Sequence, residues 1–210
     1  MVKIGSRILL VVAVLLSSIG GAWDSEDAVV LNVPLVAQET DNWCWAASAQ
    51  MVKNYLLPAT APKLQQCDEA GATTGVSNCC ATREACDKRR WPSFTTSSFR
   101  SKDSWPTPPP VPAPPPPPVK PLTWETIKAE IDANRPFVFA WKSAGGGGHM
   151  VVVTGYGTSD GVRYLFVNDP SPVNEGTFTY YTYDWYAAEA EDAPAHWRDY
   201  YEIEYTGTEK

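Results

Sequence analysis

The sequence predicts an α+β fold, a mostly helical first half followed by an antiparallel sheet. Three observations carry this. Apolar residues recur at 45, 49, 52 and 56, which is one face of a helix. Beyond Pro136 the chain breaks into five short runs rich in Val, Tyr, Phe and Thr, separated by Gly, Asp, Pro and Asn. Between the two halves, PTPPPVPAPPPPPVKP (106–121) places 11 prolines in 16 residues. The chain of 210 residues suffices for one compact domain or two small lobes, and its 44% hydrophobic content supports a core.

The first 22 residues read as a signal peptide. Lys3 and Arg7 form the positive region, ILLVVAVLL (8–16) the apolar one, and SSIGGA (17–22) the small residues before cleavage. The apolar run is short for spanning a bilayer. Cleavage removes two of the 17 basic residues and none of the 24 acidic ones, leaving a net charge of −9. That charge disfavours nucleic acid and anionic membranes as partners. Export places the protein outside the cytoplasm, secreted or periplasmic, in an oxidising compartment.

Elements follow in order. VVLNVPLV (29–36) reads as a short strand. A helix begins near Cys44, with Asp41 and Asn42 as suitable N-caps, and Pro58 stops it. Residues 59–105 are polar and weakly periodic. They predict a loop-rich extension of the helical lobe (23–105) with one short helix, held by disulfides in place of a core. The proline tract must be exposed polyproline II or irregular chain. Extended, it reaches ~50 Å and reads as a linker between lobes. LTWETIKAEIDANRP (122–136) opens the second lobe (122–210) as a helix capped by Thr123, with Trp124, Ile127 and Ile131 on one face and Pro136 at its end. Strands are expected at 137–141, 149–156, 164–169, 178–183 and 200–205.

Five cysteines are present. Cys67, Cys79, Cys80 and Cys86 fall within 20 residues, and Cys44 stands apart. Two disulfides and one free thiol is the natural arithmetic. A bond between adjacent Cys79 and Cys80 is strained, which leaves 67–79 with 80–86, or 67–80 with 79–86. No CxxC pair and no nearby histidine supports a zinc site, and nothing points to a metal or organic cofactor.

The chemistry gathers around QETDNWCWAAS (38–48). A nucleophilic cysteine needs its thiolate, which a helix N-terminus and an imidazolium favour. Cys44 is placed in the first turn of its helix, and Gln38 on the chain entering it can donate to an oxyanion. Of the two histidines, His149 follows GGGG (145–148) and begins the strand HMVVVTGY. The glycines allow a substrate backbone to approach. The next strand, YLFVND, ends in Asn168 and Asp169. With TSDG (158–161) as the turn, centred on residue 159, Asp169 is expected directly across from His149. A slip of one residue puts Asn168 there, but on the other face. His196 has no comparable context and reads as structural. Trp43 and Trp45 read as cleft walls and packing.

Gln38, five residues, then Cys44-Trp45-Ala46 resembles the papain-like cysteine proteases, most closely their compact bacterial secreted and effector branch. HMVVVTGY and YLFVNDP resemble that family's histidine and acid strands. The resemblance spans 29–57 and 122–205. It implies a cleft between two lobes, with Gln38 as oxyanion donor, Cys44 as nucleophile, His149 as general base and acid, and Asp169 as the residue orienting the imidazole. Two departures stand out. Asp41-Asn42-Trp43 replaces the Cys-Gly-Ser of papain, and Asp169 stands where papain has Asn. The segment between signal and first strand is too short for a folded inhibitory propeptide.

The implied activity is a monomeric cysteine peptidase acting on a protein or peptide through a thioester. Two alternatives remain open at this level. One is an acyl transferase or amidase on the same residues, acting on glutamine or a cell-wall peptide. The other is a non-catalytic binding protein that uses the proline tract as its contact element.

Overall fold

The computed structural model describes residues 28–104, 119–143 and 146–207. The signal segment and residues 106–118 of the proline tract lie outside them. The described chain is α+β, a seven-stranded antiparallel sheet with few helices. In chain order the elements are β1 (Val29–Val30), α1 (Cys44–Leu56), α2 (Gln66–Thr74), α3 (Arg83–Cys86) and β2 (Phe99–Asp103). Then come α4 (Trp124–Asp132), β3 (Phe137–Lys142), β4 (Gly148–Ser159), β5 (Val162–Asp169), β6 (Thr177–Thr182), α5 (Tyr183–Tyr186) and β7 (His196–Tyr205). The sheet runs β2-β7-β3-β4-β5-β6, with β1 pairing onto β4.

The segment 59–105 holds more structure than its weak periodicity suggested: two helices and a strand. Phe99–Asp103 adds to the sheet beside β7, from the N-terminal side of the proline tract. Helix α2 starts with a capping box, in which Gln65 and Asp68 satisfy each other's end of the first turn. The cysteines pair 67–80 and 79–86, and Cys44 is free.

Helix α1 is buried on most sides. Trp45, Ala46, Ala47, Ser48, Ala49, Met51 and Val52 are all inaccessible, so the helix buries more than its periodic apolar face. Four small side chains let it lie close to β4, where Ser48 Oγ donates to Met150 O. Lys53, buried on this helix, is neutralised by Glu69 at 2.6 Å. On α4 the expected cap is present: Thr123 Oγ1 accepts from Thr126 N at 3.2 Å, while Ile127 and Ile131 point into the core.

The β4–β5 hairpin differs from its expected register. Its turn is the two-residue Asp160-Gly161, both at positive φ, between paired Ser159 and Val162. A bulge then falls between Val153 and Gly155, and beyond it Val152 sits opposite Asn168. Continued three residues, that register puts His149 level with residue 171. Asp169 is therefore its diagonal neighbour, two positions short of direct opposition. The shift is even, so His149 and Asp169 keep the same face.

Candidate active site

Cys44 is the first residue of α1 and half-buried. Its flanking tryptophans are fully buried and anchored by their indoles. Trp43 Nε1 donates to Cys86 O at 2.9 Å, and Trp45 Nε1 to Lys88 O at 3.0 Å. They are packing, not cleft walls. Together they fix the backbone on both sides of the sulfur. The expected caps, Asp41 and Asn42, do not cap the helix. Trp43 takes the cap position without a side-chain bond, since an indole has a donor and no acceptor for the helix N–H groups.

His149 brings the two halves together. Its Nε2 lies 2.6 Å from Asp169 Oδ1, and Cys44 is near enough to act on the titration of the ring. With Nε2 on the carboxylate, Nδ1 is left for the sulfur. Burial pulls the imidazole pKa down, but hydrogen bonds to Asp169 and Cys44 and their charges outweigh it. The pKa is raised from 6.5 to about 9. The imidazole therefore favours its protonated form at neutral pH. Asp169 Oδ1 also accepts from Ser171 N at 2.8 Å, which fixes the carboxylate at the strand end. Trp141, the β3 partner of His149, sets its ring edge-on at 5.0 Å, next to Trp185 and Tyr181.

Asn168 points to the other face, buried, donating to Val33 O at 2.9 Å. His196 is buried between Tyr186 O and Asp199, in a network that includes Tyr186 Oη on Asp199. Neither reaches Cys44 through these bonds.

Gln38 is buried on the irregular chain entering the turn. Its backbone is held by Pro170 O and by the Asn174 amide, next to the Asp169 end of β5. Its Nε2 donates to Thr40 O at 2.9 Å and Asp41 O at 3.1 Å, and its buried Oε1 has no partner among the described residues. Turning the amide over would set Oε1 against two carbonyls, so the bonds fix its orientation. Gly147 is at positive φ under the Arg89 guanidinium, and Gly148 faces Trp197 and Trp141 O. Close packing by neighbours, rather than open space for a substrate, is what these two glycines serve.

A cysteine at a helix N-terminus, an imidazole held by a carboxylate and a nearby primary amide form a set suited to acyl transfer. The family model described as the Peptidase_C39 like family matches residues 30–204. The chain belongs to that family. It is therefore related to the papain-like cysteine peptidases, and a cysteine-peptidase-like function follows at that level. The match takes in Gln38, Cys44, His149 and Asp169, along with the disulfide-bearing segment and the proline tract. Comparison with curated proteins gives no match. Among the described residues no helix is long and apolar enough to cross a membrane.

Proposed function

We propose that this member of the family is an exported peptidase that cleaves peptide bonds through a Cys44 thioester. The observation that carries the reading is the placement of His149 between Asp169 and Cys44. Cys44 Sγ attacks the scissile carbonyl carbon. The developing oxyanion takes the Cys44 N–H and the Gln38 Nε2, which gives up one carbonyl partner to donate. His149 Nδ1–H protonates the leaving amine, and the C–N bond breaks to leave the thioester. The imidazole then removes a proton from water, whose attack releases the acid and restores the thiol pair. Asp169 orients the ring and stabilises its charged form. The helical part and the sheet part form the walls of the cleft, and residues 1–22 direct export. The same atoms serve an acyl transferase if an amine replaces water.

The test is alkylation with sub-stoichiometric iodoacetamide from pH 4 to 9, mapped by mass spectrometry, beside turnover of a quenched peptide library with and without amine acceptors. Selective labelling of Cys44 that collapses in His149→Ala, with peptide hydrolysis, supports the peptidase. Products carrying the added amine support the transferase. An unreactive Cys44 in the folded, oxidised protein defeats both.

A further inference from the structure

We infer that Asp87 is a positioning residue for the Cys44 turn, and that the disulfide-stapled segment 66–89 is the cradle that holds this turn in reactive geometry. The inference rests on the reading of Cys44 as nucleophile. Helix α1 has no side-chain cap and no acidic residue in its first turn. Its entry is held from outside. One oxygen, Asp87 Oδ1, accepts both Thr40 Oγ1 and the Asn42 backbone N–H, each at 2.9 Å. Bonds to a carboxylate are stronger than neutral ones, and its charge lies near the positive end of α1.

The rest of the segment grips the same turn. Cys86 O and Lys88 O take the two indoles, and Arg89 Nε donates to Asn42 Oδ1 at 3.1 Å. Upstream, the fully buried Gln66 accepts from Glu39 N at 3.0 Å and donates to Ala37 O at 2.7 Å, on either side of Gln38. Arg83 pairs with Glu39. Ala37, Glu39, Thr40, Asn42, Trp43 and Trp45 thus each find a polar partner in a segment held by two cross-links. Cys86, bonded to Cys79, is adjacent to Asp87 and fixes where its carboxylate sits.

The experiment compares Asp87→Leu, Asp87→Asn, Thr40→Val and the double variant Cys79→Ser/Cys86→Ser in the mature chain. Amide hydrogen exchange is followed for peptides covering 40–47 and for the β4–β5 hairpin. Cys44 alkylation, kcat and KM are read beside it. Asp87→Leu should speed exchange over 40–47 by roughly tenfold or more with the hairpin unchanged. It should lower kcat by about 10- to 100-fold with KM little altered, since small misplacements cost that much. Asp87→Asn keeps an acceptor oxygen and recovers most of both. Thr40→Val loses one bond of two and falls between, which serves if Asp87→Leu does not fold. The double variant should loosen 40–47 as well. Unchanged exchange over 40–47 in Asp87→Leu and Thr40→Val overturns the inference, as does an Asn variant no better than Leu. If the wild type cleaves no peptide, the peptidase reading fails alone. Exchange and alkylation still decide the role of Asp87.

Discussion

His149 Nε2 and Asp169 Oδ1 meet at 2.6 Å although the two residues are not cross-strand partners. Strand alternation keeps them on one face, and the side chains close the diagonal offset. The proton this pair holds has a consequence for pH dependence. The folded His149 pKa of about 9 lies above its unfolded value of 6.5. Below 6.5 both states carry the proton and the stabilisation is fully present. It shrinks from there and is lost as pH rises through about 9. Denaturant titrations from pH 6 to 10 should show stability falling across that window in wild type. Asp169→Ala should show a weaker fall. The same proton serves the leaving amine, so kcat/KM should decline above about pH 9. In Asp169→Asn that alkaline limb should move toward neutrality, with kcat reduced roughly 100-fold or more.

Asn168 and Asp169 should separate cleanly. Asn168→Ala leaves buried Val33 O without its donor, at a cost of about 1–3 kcal/mol. Thermal unfolding should register that loss. The pH profile of Cys44 alkylation should stay as in wild type, because Asn168 faces away from the imidazole. A shifted profile would show that the two faces of β5 are coupled.

Gln38 distinguishes an oxyanion donor from a turn brace. As donor, Gln38→Ala should lower kcat by about 10²–10³ while leaving Cys44 alkylation nearly intact, since alkylation forms no oxyanion. As brace alone, it should weaken both together, because its Nε2 ties Thr40 O and Asp41 O to the turn. The ratio of the two effects is the measurement.

Much of this was legible in the sequence, and the failures have definite causes. The Thr123 cap was a local signal, and the structure keeps it. The stop at Pro136 was placed too late: α4 ends at Asp132, and Asn134 at positive φ turns the chain before the proline is reached. The choice between two disulfide pairings was not local. Spacing limits the pairs, but the fold of α2 against α3 selects 67–80 and 79–86. The hairpin register went astray because the turn is Asp160-Gly161 alone and a bulge follows Val153. The face survived because only parity matters for it. Asp87 left no trace. A lone aspartate in a polar stretch has no periodicity, and its partners lie 45 and 47 positions away. Of the two roles read for Trp43 and Trp45, packing holds, because both rings are fully buried; buried and cleft-lining indoles look alike in sequence.

The glycine before His149 offers a last test. A Cβ on Gly148 would lie 2.5 Å from the Trp197 ring and 2.6 Å from Trp141 O. The ring can swing, but the carbonyl belongs to the β3 backbone paired with β4. Gly148→Ala must therefore push the start of β4 away from β3, at the residue next to His149. The sheet interior, from Met150 onward, is anchored by buried Val151, Val152 and Val153 and should hold. We expect a modest fall in thermal stability, about 1–3 kcal/mol by analogy with overpacking. Activity should fall far more, by roughly 10- to 100-fold, because the imidazole leaves its place between Asp169 and Cys44. Gly146→Ala is the control. Its Cβ would meet nothing within 4 Å, so its strain is confined to a positive-φ backbone outside β4. Equal losses of activity in both variants would mean that the loop, not the position of His149, sets the rate.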